Sequence, residues 1–303
     1  MSMTTSSQIA ISAQHGPRPP GFWAGFTWFA PAVAMLLAVT LYPTGMVVWL
    51  SVHRTRLYEV VEGVGLANYV SVLTSPAFLE LSLNSLLYVS GALALVLPMG
   101  LASALALQNL ASSAALVRTL LLLPWTLSMG VVGCFWLWLL NPSYGPISFL
   151  MRSLGIEPGL MLGEPSLALI LVILVTAWWS FPYVMVMMSA SLQSIPAELY
   201  EAIDIDGGGL SARLRHAVWP HIAPTLGSTA LTLGIVYLTL ITMILVLTGG
   251  GPIGATATWS FEVFSSAFRS VDLSPSSVIS VVVLIVNLFL GYLYSRLTGR
   301  VSG

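Results

Sequence analysis

Apolar and polar positions fall into long alternating blocks along this chain. A helix needs about 20 predominantly apolar residues to cross the ~30 Å hydrocarbon core of a bilayer, at 1.5 Å per residue. Uncharged windows longer than that run from Arg18 to Arg54, Glu80 to Arg118, Arg118 to Arg152, Glu164 to Glu198, Arg215 to Glu262 and Asp272 to Arg296. They predict six transmembrane helices at about 24–50, 83–107, 117–140, 167–192, 225–247 and 275–296. No second folded domain fits between them, so residues 22–303 form one all-α membrane domain. Residues 1–21 are polar, end in Pro17, Arg18, Pro19 and Pro20, and lack a basic n-region. They read as a disordered tail and not as a cleaved signal peptide. Gly63 to Tyr69, Asn141 to Gly145 and Thr248 to Pro252 read as turns on the outer side.

Composition supports the membrane assignment. Hydrophobic residues make up 57 % of the chain and charged residues 7 %, against about 25 % charged in soluble domains; the mean hydropathy is +0.92. All ten basic residues are arginine and the formal net charge is −1, which excludes a polybasic nucleic-acid face. The single cysteine, Cys134, excludes an intrachain disulfide and a thiol-metal cluster. An even number of spans puts both termini on one side. With the termini inside, the inner segments hold six arginines (Arg18, Arg118, Arg213, Arg215, Arg296, Arg300) and the outer segments four (Arg54, Arg56, Arg152, Arg269). The bias of basic residues toward the cytoplasm therefore predicts cytoplasmic termini and a cytoplasmic 193–224 segment.

That segment is the part of the chain the membrane does not explain. Between Ser194 and Pro220 it holds six of the twenty-one charged residues: Glu198, Glu201, Asp204, Asp206, Arg213 and Arg215. Pro196 suits a first helical turn, where its missing N–H is not needed, and Glu198 sits near the positive end of the helix dipole. Ile195, Leu199, Ala202 and Ile203 form one apolar stripe on a short helix. Gly207 is placed to end it in a left-handed conformation. A second short helix at about 210–218 is expected to run until Pro220 stops it. Such a hairpin can dock into a groove of another protein, or it can lie as a solvated linker at the membrane surface; the residues alone leave both open.

The same segment, about 194–224, resembles the EAA loop of binding-protein-dependent ABC importer permeases. The resemblance is carried by Glu201-Ala202, Asp206-Gly207 and Pro220, with Pro196, Glu198 and Leu199 before them and Pro224 after. Two positions depart from the pattern: Ile203 stands where a second alanine is usual, and Gly208 where alanine follows the aspartate-glycine pair. Further landmarks look like those of the maltose-type subfamily, which handles carbohydrates, polyols and glycerol-phosphate compounds. They are Tyr42-Pro43, Ser51, Gly65 to Tyr69, Asn84-Ser85, Arg118, Pro124, Gly145 and Thr248 to Pro252. The resemblance implies a six-span permease of a prokaryotic inner membrane, working with a second homologous permease, two ATPase subunits and an extracytoplasmic substrate-binding protein. It also implies that the loop is a coupling helix seated on the ATPase, with Glu198, Glu201, Ala202, Asp206, Gly207 and Pro220 forming the ATPase-coupling set. Glu201 would contact the ATPase and Gly207 would allow the turn. ATP and Mg²⁺ would be bound by the ATPase, and this chain would be no enzyme.

Other chemistries find little support. A phosphate-binding P-loop needs a lysine, and the chain has none. Proton-coupled carriers place ionisable residues inside their spans; none of the six windows has one well inside, which argues against the alternative of a secondary carrier with a regulatory cytoplasmic hairpin. His53, His216 and His221 read as interfacial residues, not metal ligands. Trp136, Trp138, Trp178, Trp179 and Tyr183 are candidates to stack on sugar rings, and Asn84, Asn109 and Gln193 to bond hydroxyls; for each of them packing or interface anchoring is the preferred reading, with sugar contact left open for a minority. The substrate pocket is not defined by the sequence.

Overall fold

The computed structural model describes residues 22–108 and 114–298; the 1–21 tail and Asn109 lie outside them. The described residues are mostly helical. Five helices are long and apolar enough to cross a membrane, and a bent pair makes a sixth if it counts as one span. The first helix, α1 (Phe22–Ser51), carries no charge. Residues up to Met46 and those from Val47 onward fall into two compact units. Within the first, Thr44 Oγ1 donates to Thr40 O at 2.7 Å, so a polar group in an apolar helix is satisfied internally.

In the second unit, α1 leads into a short antiparallel hairpin of β1 (His53–Arg56) and β2 (Glu59–Gly63). This hairpin is an addition to the all-α expectation. It is followed by α2 (Ala67–Leu73) and α3 (Pro76–Gln108). α4 (Ala114–Thr126) and α5 (Met129–Leu139) come next, then α6 (Pro146–Ser153) and α7 (Pro165–Gln193).

The core is built on α3 and α7, which run in the same direction. Gly91 faces Ile173 and Gly100 faces Val184. A Cβ at Gly100 would lie 2.4 Å from Val184 Cβ and 2.9 Å from the Met185 backbone nitrogen; only glycine lets the two backbones come this close, the usual device of helix contacts in lipid. Two buried tyrosines inside the bundle have hydroxyl partners, whereas the buried Thr229 Oγ1 and Ser148 Oγ have none. Tyr88 Oη lies 3.2 Å from Thr176 Oγ1, and Tyr237 Oη 2.5 Å from Ser180 Oγ, which removes the cost of burying unpaired hydroxyls.

Two expected spans are broken. The stretch predicted as one helix over 117–140 is α4 and α5, bent by 96°. Ser128 is extended and its Oγ accepts from Val131 N at 3.4 Å, starting α5. Trp179 Nε1 donates to Leu127 O at 3.3 Å, so a carbonyl freed by the break has a partner. Trp125 covers the same corner, with ring centroids 4.4 Å from Trp179 and 5.4 Å from Tyr183. The helix predicted over 225–247 instead belongs to a helical run over Leu210–Thr239. That run comprises α9 (Leu210–Ala212), a π-helical stretch Arg213–Val218 and α10 (Trp219–Thr239). Leu240 is extended and its carbonyl accepts from Ser260 Oγ at 3.3 Å, so the chain restarts as α11 (Thr242–Leu247). α12 (Trp259–Phe264), a second π-helical stretch and α13 (Leu273–Thr298) complete the fold. α8 (Ala197–Ile205) lies between α7 and α9.

Asn84, near the start of α3, donates to Gly254 O and Ala257 O at 3.0 and 3.1 Å. It fixes the 248–258 turn and so has a structural task. The starts of α3 and α13 enclose a cavity of about 350 Å³ with Asn84, Glu80, Glu262 and Pro275 in its wall. This end of the bundle lies at the opposite end of α7 from α8; a 29-residue helix spans about 40 Å.

Candidate coupling site

α8 begins after Pro196, which is extended (ψ 138°), and it carries Glu198 in its first turn, where the carboxylate favours the helix N-terminus. No residue of α8 is fully buried. The expected apolar stripe is used by the chain itself: Ile195 is buried, and Leu199 and Ile203 are partly buried against the core. Ala202, assigned to that stripe, is exposed. The free face presents Glu198, Glu201, Ala202, Ile205 and Asp206.

The end of α8 is a two-bond glycine cap. Gly208 N donates to Ile203 O at 2.8 Å and Gly207 N to Asp204 O at 3.0 Å, with Gly207 at φ +73°, the pattern of a Schellman motif. The two departures from the loop pattern meet here. A Cβ at Gly208 would lie 2.5 Å from Ile203 Cγ2, so the larger side chain at 203 occupies space that an alanine at 208 would need.

Across the turn, Asp204 and Arg213 form a bidentate ion pair. Arg213 Nε donates to Asp204 Oδ1 at 2.9 Å and Arg213 Nη2 to the same oxygen at 2.6 Å. Hydrogen bonding to Asp204, reinforced by its charge, raises the guanidinium pKa further above its already high value. At the base, Ser191 Oγ of α7 donates to His221 O at 3.1 Å. The ion pair and the glycine cap thus join α8 to the helical run Leu210–Thr239.

Pro220 does not stop a helix. It lies in the first turn of α10, and the run continues from Leu210 through the π-helical stretch. The wider hydrogen-bond ring accommodates a residue that cannot donate its own N–H. Pro220 is exposed on this surface together with Leu210 and Trp219.

Sequence reasoning missed Ile205, which is 85 % exposed, and Leu210, 74 % exposed. They stand on either side of the glycines as exposed aliphatic groups outside the inward stripe. The signal was present: two large aliphatics flanking Asp206-Gly207 with no place in the 199/203 stripe. It also missed the Asp204–Arg213 pair.

The remaining candidates are separated. His216 Nδ1 and His221 Nδ1 each lie within hydrogen-bond distance of the carbonyl four residues before. Among the described residues no group of three or more His, Cys, Asp or Glu could hold a metal. Trp136 packs edge-on to Trp178, with centroids 5.6 Å apart, Trp138 lies against Phe135, and Gln193 is exposed at the end of α7. The aromatics pack on one another.

The model of one protein family, described as the inner membrane component of binding-protein-dependent transport systems, matches residues 84–303. The chain belongs to this family. The trehalose/maltose transport system permease protein MalF of Thermococcus litoralis is 28 % identical over 273 residues, covering 90 % of this chain and 92 % of that protein. The sn-glycerol-3-phosphate transport system permease protein UgpA of Agrobacterium fabrum is 32 % identical over 262 residues, covering 85 % and 88 %. In fold, the chain resembles a chain of a bacterial alginate ABC transporter, crystallised with an alginate pentasaccharide-bound periplasmic protein. The TM-score is 0.80 at 18 % identity, over 92 % of this chain and 95 % of that one. A multi-pass permease of the inner membrane is therefore what the apolar helices build, and the resemblance read from the 194–224 segment is to the family that matches.

Proposed function

We propose that this chain is one transmembrane half of an ATP-driven importer. It pairs with a second, homologous permease, is driven by two ATPase subunits that bind ATP and Mg²⁺, and receives substrate from an extracytoplasmic binding protein. Its own role is mechanical. The observation that carries this reading is α8: a short helix with no fully buried residue and an outward face of carboxylates, tied by the Asp204–Arg213 pair to the π-helical stretch that runs into α10. Such an element gains its contacts from another protein. Closure of the ATPases would move α8 as a rigid body and turn the spans around a central cavity. Glu198, Glu201, Ala202, Asp206, Gly207 and Pro220 form the coupling surface, with both termini in the cytoplasm.

The substrate proposed is a carbohydrate, polyol or glycerol-phosphate compound; the relatives above are named for trehalose/maltose and sn-glycerol-3-phosphate. Within that set a neutral polyhydroxylated compound comes first. No arginine lies well inside a span, and burying an unpaired anion is costly. The test is uptake by the complete complex in vesicles, with labelled disaccharide and labelled glycerophosphodiester. ATP-dependent disaccharide uptake is expected; uptake of the phosphodiester with no response to sugars would overturn the neutral preference. Reporter fusions after Arg118, Arg215 and Arg300 should read cytoplasmic, and near Glu62, Glu157 and Glu262 outside. A reversed pattern would put α8 beyond reach of any cytoplasmic ATPase.

A further inference from the structure

The β1–β2 hairpin has a costly tip. Its two turn residues are Leu57 at φ +51° and Tyr58 at φ +66°, a left-handed conformation that asparagine and glycine adopt readily and bulky side chains resist. Nothing in the packing of the chain accounts for the choice. Leu57 is 69 % exposed, Tyr58 54 % and Val61 61 %.

The hairpin is nevertheless held firmly. Thr55 is buried, its backbone N–H donates to Ser274 Oγ at 2.7 Å, and its Oγ1 donates to Asp272 Oδ1 at 3.0 Å. Leu273 N donates back to Thr55 Oγ1 at 2.9 Å. Asn68 Nδ2 donates to Ser51 O and His53 O, and Arg54 pairs with Glu62 at 2.6 Å. A rigid arm thus displays two large apolar groups in a backbone conformation unfavourable to them, as strain is stored where a surface has a task.

We propose that the Leu57–Tyr58 tip is a docking knob for the soluble substrate-binding protein. This rests on the importer reading and names one of its contacts. Two observations select that partner. The hairpin joins the start of α13, at the end of the bundle opposite α8, the end that must accept a binding protein. Arg56 precedes the tip and Glu59 follows it, with Arg54 and Glu62 behind. Charges of both signs keep the hairpin in water, and Glu59 beside Tyr58 opposes insertion into an anionic membrane surface. An apolar pocket with a rim of mixed charge fits them, the arrangement of an interface anchor inside a polar rim.

The test replaces the tip by a better turn. Leu57→Asn with Tyr58→Gly suits the hairpin backbone, so folding and basal ATP hydrolysis should be unchanged in the assembled transporter. The concentration of substrate-loaded binding protein giving half-maximal ATPase stimulation should rise about tenfold or more. An unchanged concentration overturns the proposal. No stimulation of the wild-type complex overturns the importer reading itself. An environment-sensitive label on Tyr58→Cys, in a Cys134→Ser background, should respond only when binding protein is added. A response already complete on reconstitution into lipid, or on pairing with the second permease, assigns the tip to those surfaces and also overturns the proposal.

Discussion

Two neighbouring helices, α7 and α8, are separated by only three residues and use their side chains in opposite ways. α7 carries no charge over its 29 residues, and 56 % of its most apolar window is buried inside the chain. α8 has nine residues, none fully buried, and displays Glu198 and Glu201. Along α7 the inward positions are committed chiefly to α3, α4 and α10, so substitutions there act on folding. Along α8 only Leu199, Tyr200 and Ile203 are committed to the core and Asp204 is paired with Arg213; the exposed Glu198, Glu201, Ala202 and Ile205 remain available to a partner. Effects of mutation should therefore divide cleanly: loss of assembly in α7 and its contacts, loss of coupling in α8.

The largest effect is expected where α3 meets α7. Gly100→Val places a Cβ 2.4 Å from Val184 Cβ and close to the Met185 backbone, and overpacking of this kind costs about 1–3 kcal/mol or more because backbone must shift. The assembled permease should fall sharply in yield and melt several degrees lower in detergent. Gly130→Ala, where nothing lies within 4 Å of the added carbon, should behave as wild type. Equal stability of the two variants would show that α3 and α7 do not form the tight contact on which the comparison rests.

An intermediate effect is expected at the α8 cap. Gly207 has nothing within 4 Å of an added Cβ, so space is not limiting; its φ of +73° is. Gly207→Val should cost about 1–2 kcal/mol locally and leave insertion and assembly intact. Uptake and substrate-stimulated ATP hydrolysis should drop several-fold. Normal transport by this variant would remove Gly207 from the coupling set and blur the division between the two helices.

The spans were legible because charge is expensive in a bilayer: five of the six uncharged windows hold a long apolar helix, and the predicted ends of 167–192 and 275–296 fall within two residues of α7 and α13. The breaks were not legible. The corner between α4 and α5 depends on Trp179 reaching Leu127 O from another helix, and the break at Leu240 on Ser260; both are long-range partners that make a freed carbonyl tolerable. Pro220 misled for a related reason, since a π-helical turn upstream let the helix run through it. At the coupling hairpin, Gly207 and the carboxylates could be read from local rules of capping and charge. The outward Ile205 was readable only by its absence from the 199/203 stripe, and the Asp204–Arg213 pair, which depends on how the hairpin folds back on itself, was not readable.

The smallest effect is expected at the link between the two regimes, the Asp204–Arg213 pair. Both side chains remain nearly half exposed, 46 % and 44 %, and exposed ion pairs contribute little to stability. Their geometry across the glycine cap suits the transmission proposed above. Asp204→Asn should leave assembly unchanged and lower coupled transport by no more than about twofold at low ionic strength. The loss should shrink in high salt, where screening shortens from ~10 Å at 0.1 M to ~3 Å at 1 M and weakens the wild-type pair as well. The pair raises the Arg213 pKa, so its contribution is fully present below the unfolded guanidinium's pKa and fades only as pH rises through the still higher folded value. No alkaline loss attributable to this pair should therefore appear at any working pH. The charge swap Asp204→Arg with Arg213→Asp should recover most of the lost coupling. A salt-independent defect that the swap does not rescue would mean that α8 drives α10 through the backbone of the cap alone.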